Sequence, residues 1–119
     1  MFADKIFNKL AFIIAKNTSV YNIKVQIQEE LYQKYGLSRK NGLKKLNKII
    51  EREFNYSYSE CNGMFSEHLI IMSALSIKYP KTKRILEIGT YDGRTALILS
   101  HLFPLSEIIT IDKIKTSII

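Results

Sequence analysis

Cysteine is almost missing from this chain: Cys61 is the only one in 119 residues. A single thiol closes no internal disulfide, and one cysteine with two scattered histidines, His68 and His101, leaves no zinc-ligand spacing. That usage fits a reducing, cytoplasmic setting. Long apolar runs are missing too. None approaches the ~18 residues of a membrane span, so a soluble chain with no membrane partner is expected. The run LAFIIA near the start is short, and no small-x-small site follows it, which argues for an amphipathic helix over a secretory signal. Only two prolines occur, Pro80 and Pro104, and each falls where a helical pattern stops. Internal repeats and low-complexity tracts are also missing.

The apolar fraction of 46% argues against wholesale disorder. A chain of this length makes one domain at most and buries roughly two-thirds of its unfolded surface. Net charge is +7, and the excess sits mainly in the first half: residues 1–63 carry a net +5 and residues 64–119 a net +2. A basic helical segment can be a footprint for nucleic acid, but lysines on the wet face of an ordinary helix give the same count. The densest stretch, SRKNGLKKLNK, favours the second reading. Its Arg39, Lys40, Lys44, Lys45 and Lys48 are interleaved with Leu43, Leu46, Ile49 and Ile50 at helical spacing. No nucleic-acid partner is expected.

Three helical patterns precede residue 55. Phe2, Ile6, Leu10 and Ile13 or Ile14 define one from about residue 3 to about residue 16. Val20, Ile23, Ile27, Leu31 and Tyr35 define a second, stopped by Gly36, although the alternation Ile23, Val25, Ile27 also suits a strand. The third runs from about 40 to 54 with Ser38 as a cap, and it tolerates Gly42 near its start. The polar connector NYSYSECNG is the best boundary in the chain. Beyond it, Ser66 is placed to cap a helix whose apolar face uses Leu69, Met72, Leu75 and Tyr79. ILEIG then reads as a strand buried on both faces, RTALILSHLF as a helix, and IITID as a second buried strand. Helix, strand, helix, strand is the start of an alternating α/β sheet.

In such a sheet a ligand sits beyond the carboxyl ends of the strands, which places GTYDG in the binding crevice. Gly89 lets the chain turn sharply, and Gly93 lets the helix start pack close. Exposed amides at that helix N-terminus favour a negatively charged group. Asp112 ends the neighbouring strand and aims a carboxylate at the same crevice, where it can accept both hydroxyl hydrogens of a ribose. A dinucleotide fold needs a glycine where this chain has Tyr91, so a pyrophosphate is poorly served. No lysine followed by Ser or Thr completes a phosphate loop. S-adenosylmethionine has a ribose, a carboxylate and an amine but no phosphate, and it fits what is present.

LEIGTYDGRTA resembles the first motif of the class I S-adenosylmethionine-dependent methyltransferases, an acidic residue, any residue, glycine, three residues, glycine. It looks most like the form found in small-molecule O-methyltransferases. The resemblance covers residues from about 64 to 112, with the first 60 similar only as a helical cap. It implies that Glu87 holds the methionine amine or braces the glycine turn, and that Gly89, Thr90 and Tyr91 line the methionine moiety. Gly93 would allow close approach, Thr95 would reach the carboxylate and Asp112 would bind the ribose. The resemblance also implies an α/β, Rossmann-like sheet behind a helical cap region at 1–63, with the cofactor-binding domain starting at 64–119. The expected partner is a small-molecule methyl acceptor.

Each assignment has a structural rival. Glu87 could be paired with a cation such as Arg84 or Arg94, Asp112 could be a strand end facing water, and Thr95 could satisfy backbone in the first helical turn. Asp92 and Arg94 read as solvent-facing or as a local pair. His68 and His101 read as surface residues with no acid partner at a telling spacing, and no metal site is expected. The family sheet has about seven strands and only two are legible, so the chain reads as truncated after the second, with its catalytic residues unknown and the 119 residues inactive alone. The open sheet edge invites homo-oligomer formation. The remaining alternatives are another nucleoside-binding Rossmann-like enzyme, or a non-catalytic basic helical binding module.

Overall fold

The computed structural model describes residues 2–16, 19–55, 57–58, 68–89 and 92–113. Among them the elements follow as α1 (Phe2–Lys16), α2 (Ser19–Lys34), α3 (Arg39–Phe54), α4 (His68–Lys78), β1 (Arg84–Ile88), α5 (Arg94–Leu102) and β2 (Glu107–Ile111). The protein is therefore mixed α/β, with five helices and a two-stranded parallel sheet among the described residues. No helix there is long and apolar enough to cross a membrane.

Local chemistry sets the boundaries. The ambiguous stretch around Ile23 to Ile27 is helical. Its helix α2 closes in a Schellman turn, where the Leu37 amide donates to the Tyr32 carbonyl and the Gly36 amide to that of Gln33, both at 2.9 Å. Gly36 takes φ +68°, a conformation that costs a residue with a Cβ. Helix α3 opens on Ser38, whose Oγ accepts from the Asn41 amide at 3.2 Å, and closes on Asn55 at φ 58°. The capping role read for Ser66 lies outside the described residues.

Helices α3 and α4 make the tightest contact. A Cβ at Gly42 would stand 2.9 Å from the Ala74 nitrogen and 2.9 Å from the Ile70 carbonyl oxygen. Ser73 Oγ donates to the Gly42 carbonyl at 2.6 Å, and Ser76 Oγ to that of Ser73 at 2.7 Å, so the buried hydroxyls are satisfied. Gly42 is thus a required close approach, not a tolerated residue. Gly42→Ala gains up to about 1 kcal/mol of helix propensity but crowds a backbone, at about 1–3 kcal/mol. A net loss of about 1–2 kcal/mol by urea denaturation is expected, and a stabilised variant would refute the close packing.

The same contact corrects the face assigned to α4. Leu69, Ile70, Ser73, Ala74 and Ser76 are buried, Met72 and Leu75 are half-buried, and Tyr79 is exposed. The stripe is rotated because α4 turns its small residues toward Gly42. The lysines of α3 also need correction. Lys40, Lys44 and Lys48 face water, but Arg39 is buried and donates from Nε to Gln28 Oε1 at 2.7 Å. Lys45 Nζ donates to Ser76 Oγ at 2.8 Å and to the Leu102 carbonyl at 3.3 Å. Burial pushes the Lys45 ammonium below its ordinary pKa, and its position complements the negative C-terminal end of α5.

Leu46, Ile49 and Ile50 of α3 meet Leu69 and Ile70 of α4 and Ile98, Leu99 and Leu102 of α5 in one core, closed by Phe103. Strands β1 and β2 pair in parallel with Glu87 opposite Thr110, and Ile85 and Ile108 pack against this core. Side chains alternate along a strand, so the other face carries Leu86, Ile88, Ile109 and Ile111. All four are exposed, Ile88 to 80%. The reading of both strands as buried on two faces is thereby corrected: among the described residues, cover comes to one face only.

Candidate functional site

The turn from β1 into α5 lies at the carboxyl ends of both strands. Gly89 continues the ladder by one bond, its amide donating to the Ile111 carbonyl at 2.7 Å, and then leaves it at φ +89°. Gly93 at φ +81° is the N-cap of α5 and offers no side chain to its amides. That duty falls to Asp92, whose Oδ1 accepts from the Arg94 amide at 3.1 Å while Oδ2 meets Arg94 Nε at 3.1 Å. The local Asp92–Arg94 pair expected from sequence is present.

Both glycines are required by backbone conformation. Among the described residues, chain neighbours aside, a Cβ at either one would meet nothing within 4 Å. This corrects the expectation that Gly93 serves close packing of the helix start: its left-handed φ demands glycine, and none of the described residues beyond its chain neighbours fills the space above it. The open space lies on the ligand side of a β–turn–helix junction.

Glu87 projects from β1 on the face that carries Ile85, toward the helices. Neither cation offered as its structural partner is used. Arg84 Nε stands 3.5 Å from Glu107 Oε2, and Arg94 is engaged by Asp92. Among the described residues Glu87 Oε2 is sealed from solvent and has no hydrogen-bond partner, although the side chain as a whole is only half-buried. Loss of solvation, followed by repulsion from the Asp112 carboxylate, raises the Glu87 pKa above its ordinary value. Asp112 itself follows β2, is exposed, and accepts from the Lys113 amide at 2.7 Å through Oδ1.

Thr95 stands half-buried in the first turn of α5. Thr90 and Tyr91 lie outside the described residues. Of the seven positions read from the sequence, the fold therefore gathers Glu87, Gly89, Gly93, Thr95 and Asp112 around one junction. No group of three or more metal-ligating side chains occurs among the described residues. One expectation about the histidines needs revision. His101 Nε2 lies 3.2 Å from Glu53 Oε1, and its Nδ1 lies 3.2 Å from an Arg52 guanidinium nitrogen. The acid partner comes from α3, far away in sequence, so no spacing could reveal it.

A raised carboxyl pKa has a definite sign. The unfolded carboxyl titrates near ~4.3, and across the interval from there to the higher folded value the folded state holds more protons. Stability therefore falls as pH rises through that window. Glu87→Gln is expected to remove the decline and to be more stable than the parent at neutral pH, as read by urea denaturation between about pH 4 and pH 8. A glutamine variant that is weaker at neutral pH would mean that the Glu87 charge has a stabilising partner in the fold.

Two mutually repelling carboxylates beside the glycine turn favour a cationic group, while the first-turn amides of α5 beyond Arg94, whose own amide Asp92 already takes, favour an anionic one. A ligand carrying both charges on a short frame satisfies the two ends together. No protein-family model, curated protein or solved structure matches this chain.

Proposed function

We propose that this chain belongs to the class I S-adenosylmethionine-dependent methyltransferases, with a Rossmann-like cofactor site at the β1–α5 junction and a small-molecule hydroxyl as methyl acceptor. The observation that carries the reading is the half-buried Glu87 carboxyl, two residues before the left-handed Gly89, with one sealed oxygen lacking a partner among the described residues and with the Asp112 carboxylate close enough to raise its pKa. Sealing one oxygen of a half-buried acid without a partner carries a cost, and a ligand ammonium would remove it.

The residues present fit the cofactor. Glu87 would hold the methionine ammonium, and Asp112 would accept hydrogens from the ribose hydroxyls. Gly89 and Gly93 would leave room for the methionine chain, because neither carries a Cβ into space that the described residues beyond their chain neighbours leave open. The amides at the start of α5 would face the cofactor carboxylate, with Thr95 alongside. Asp92 takes the Arg94 amide and fixes the first turn, so the amides that would meet the carboxylate are those that follow Arg94. When bound, the cofactor supplies an electrophilic methyl group on a sulfonium. The chain's own contribution is placement of that donor, and placement supplies much of the rate in a two-reactant transfer. The reading extends to a Glu87 that must be ionised to hold the ammonium, so affinity should rise with pH through its elevated pKa.

Calorimetric titration of the full chain is the test. S-adenosylmethionine and its demethylated product are expected to bind, with NAD and ATP at least about tenfold weaker, since the turn has Tyr91 in place of the middle glycine and lacks the lysine that serves phosphates. Tighter binding of NAD or ATP would overturn the reading in favour of another nucleoside enzyme, and so would no binding of either sulfur nucleoside.

A further inference from the structure

A second concavity lies away from the β1–α5 junction. It is a cleft of about 430 Å³ between the end of α2 and the last turns of α4. Its walls are aliphatic at Leu31, Ile71 and Leu75 and aromatic at Tyr32, Tyr35 and Tyr79. Helix α4 leaves the cleft at Lys78 and Tyr79 and reaches β1 at Arg84, the end of the strand opposite Gly89. The cleft therefore sits at the amino end of the sheet, and the glycine turn at the carboxyl end.

Among the described residues one charged side chain lines the cleft, and it is Lys78. Its Nζ donates to the Tyr35 carbonyl at 2.5 Å and stands 5.3 Å from the centre of the Tyr79 ring. The Schellman turn explains this position. It satisfies the carbonyls of Tyr32 and Gln33 internally and leaves that of Tyr35 for the lysine. Gly36 makes the approach feasible, because a Cβ there would stand 2.7 Å from Lys78 Nζ. The ammonium is thus held by its backbone bond beside an apolar space, with donors to spare and, among the described residues, no carboxylate lining the cleft. Leu31, Tyr35 and Tyr79 are each more than half exposed, so the walls are wet and available.

We propose that this cleft binds a small monocarboxylate with an aromatic or aliphatic body, the body lying between the tyrosines and the leucines and the carboxylate meeting Lys78. The volume falls within the range of small-ligand sites, and so does the composition, a mostly apolar lining with one placed polar group. Charge complementarity chooses an acid: an uncharged body would gain the apolar contacts but leave the ammonium without a counter-ion. This site is independent of the cofactor site.

The test is a titration of the full chain followed by NMR or calorimetry, with 4-phenylbutyrate and octanoate as probes and 4-phenylbutyramide as the uncharged counterpart. The acids are expected to bind about tenfold more tightly than the amide, the difference between a charge-assisted and a neutral hydrogen bond. Lys78→Met should abolish that preference, Lys78→Arg should keep it, and Ile71→Trp should block both probes by filling the cleft. Circular dichroism of each variant separates lost binding from lost folding, and Ile71→Trp keeps the test valid if Lys78→Met unfolds α2. Equal binding of acid and amide, or no binding of either acid at millimolar concentration, overturns the proposal. So does a concentration-dependent dimer whose formation Ile71→Trp abolishes, because the cleft would then be the seat of a second copy.

Discussion

Leu46→Ala is expected to destabilise the protein by about 2–5 kcal/mol, the cost of deleting a fully enclosed leucine side chain. Leu46 has no exposed surface and belongs to the core where α3 meets α4 and α5. The cavity cannot close cheaply, because the α3–α4 distance is already set by backbone contact at Gly42. A loss of that size is a large share of the ~5–15 kcal/mol that holds a typical domain together. Urea denaturation reads it directly, with the half-buried Leu43→Ala as a control that should lose less. A Leu46→Ala variant within about 1 kcal/mol of the parent would mean that α3 does not share the core with α4 and α5.

Asp112→Ala is expected to weaken binding of S-adenosylmethionine by about 1–3 kcal/mol, roughly 5- to 150-fold, because hydrogen bonds to a charged acceptor lie at the upper end of the usual range. A second consequence follows from its repulsion of Glu87. With Asp112 gone, one of the two causes that raise the Glu87 pKa disappears, so the pH at which cofactor affinity rises should move down. Asp112→Asn should show the same shift with a smaller loss of affinity. Calorimetry across pH distinguishes this from general damage, which would lower affinity without moving the profile. An unchanged dissociation constant for Asp112→Ala would remove the ribose role.

The helices were legible because their caps are written in neighbouring residues. Ser38 and Gly36 mark the boundaries of α2 and α3, and both act as their chemistry dictates. What covers each face was less legible. Ile23, Ile27 and Leu31 of α2 and Tyr35 just past its end repeat at helical spacing, yet all four are exposed. Periodicity reports that a face exists; only a partner elsewhere in the chain buries it. The strands show the same limit, since apolar runs such as ILEIG read alike whether one face or two is covered.

At the site, the glycines and acids were legible as a pattern because the turn and strand end are local. The reason for Gly93 was not, since φ and open space emerge only in three dimensions. Whether Glu87 had a partner also depended on which acids took Arg84 and Arg94, and Glu107 comes from the other strand. The cleft at Lys78 joins residues some forty positions apart, and no spacing rule connects Tyr35 with Lys78. The Glu53–His101 contact was hidden for the same reason.

The most direct measurement is a map of backbone amide shifts in the full chain on adding S-adenosylhomocysteine, the demethylated cofactor. Shifts are expected at Glu87, Gly89, Gly93, Arg94, Thr95 and Asp112, where the β1–α5 turn meets the end of β2, with residues 31–37 and 71–79 unmoved. A ligand that shifts only the cleft residues, or that shifts nothing, would contradict a cofactor site at the glycine turn.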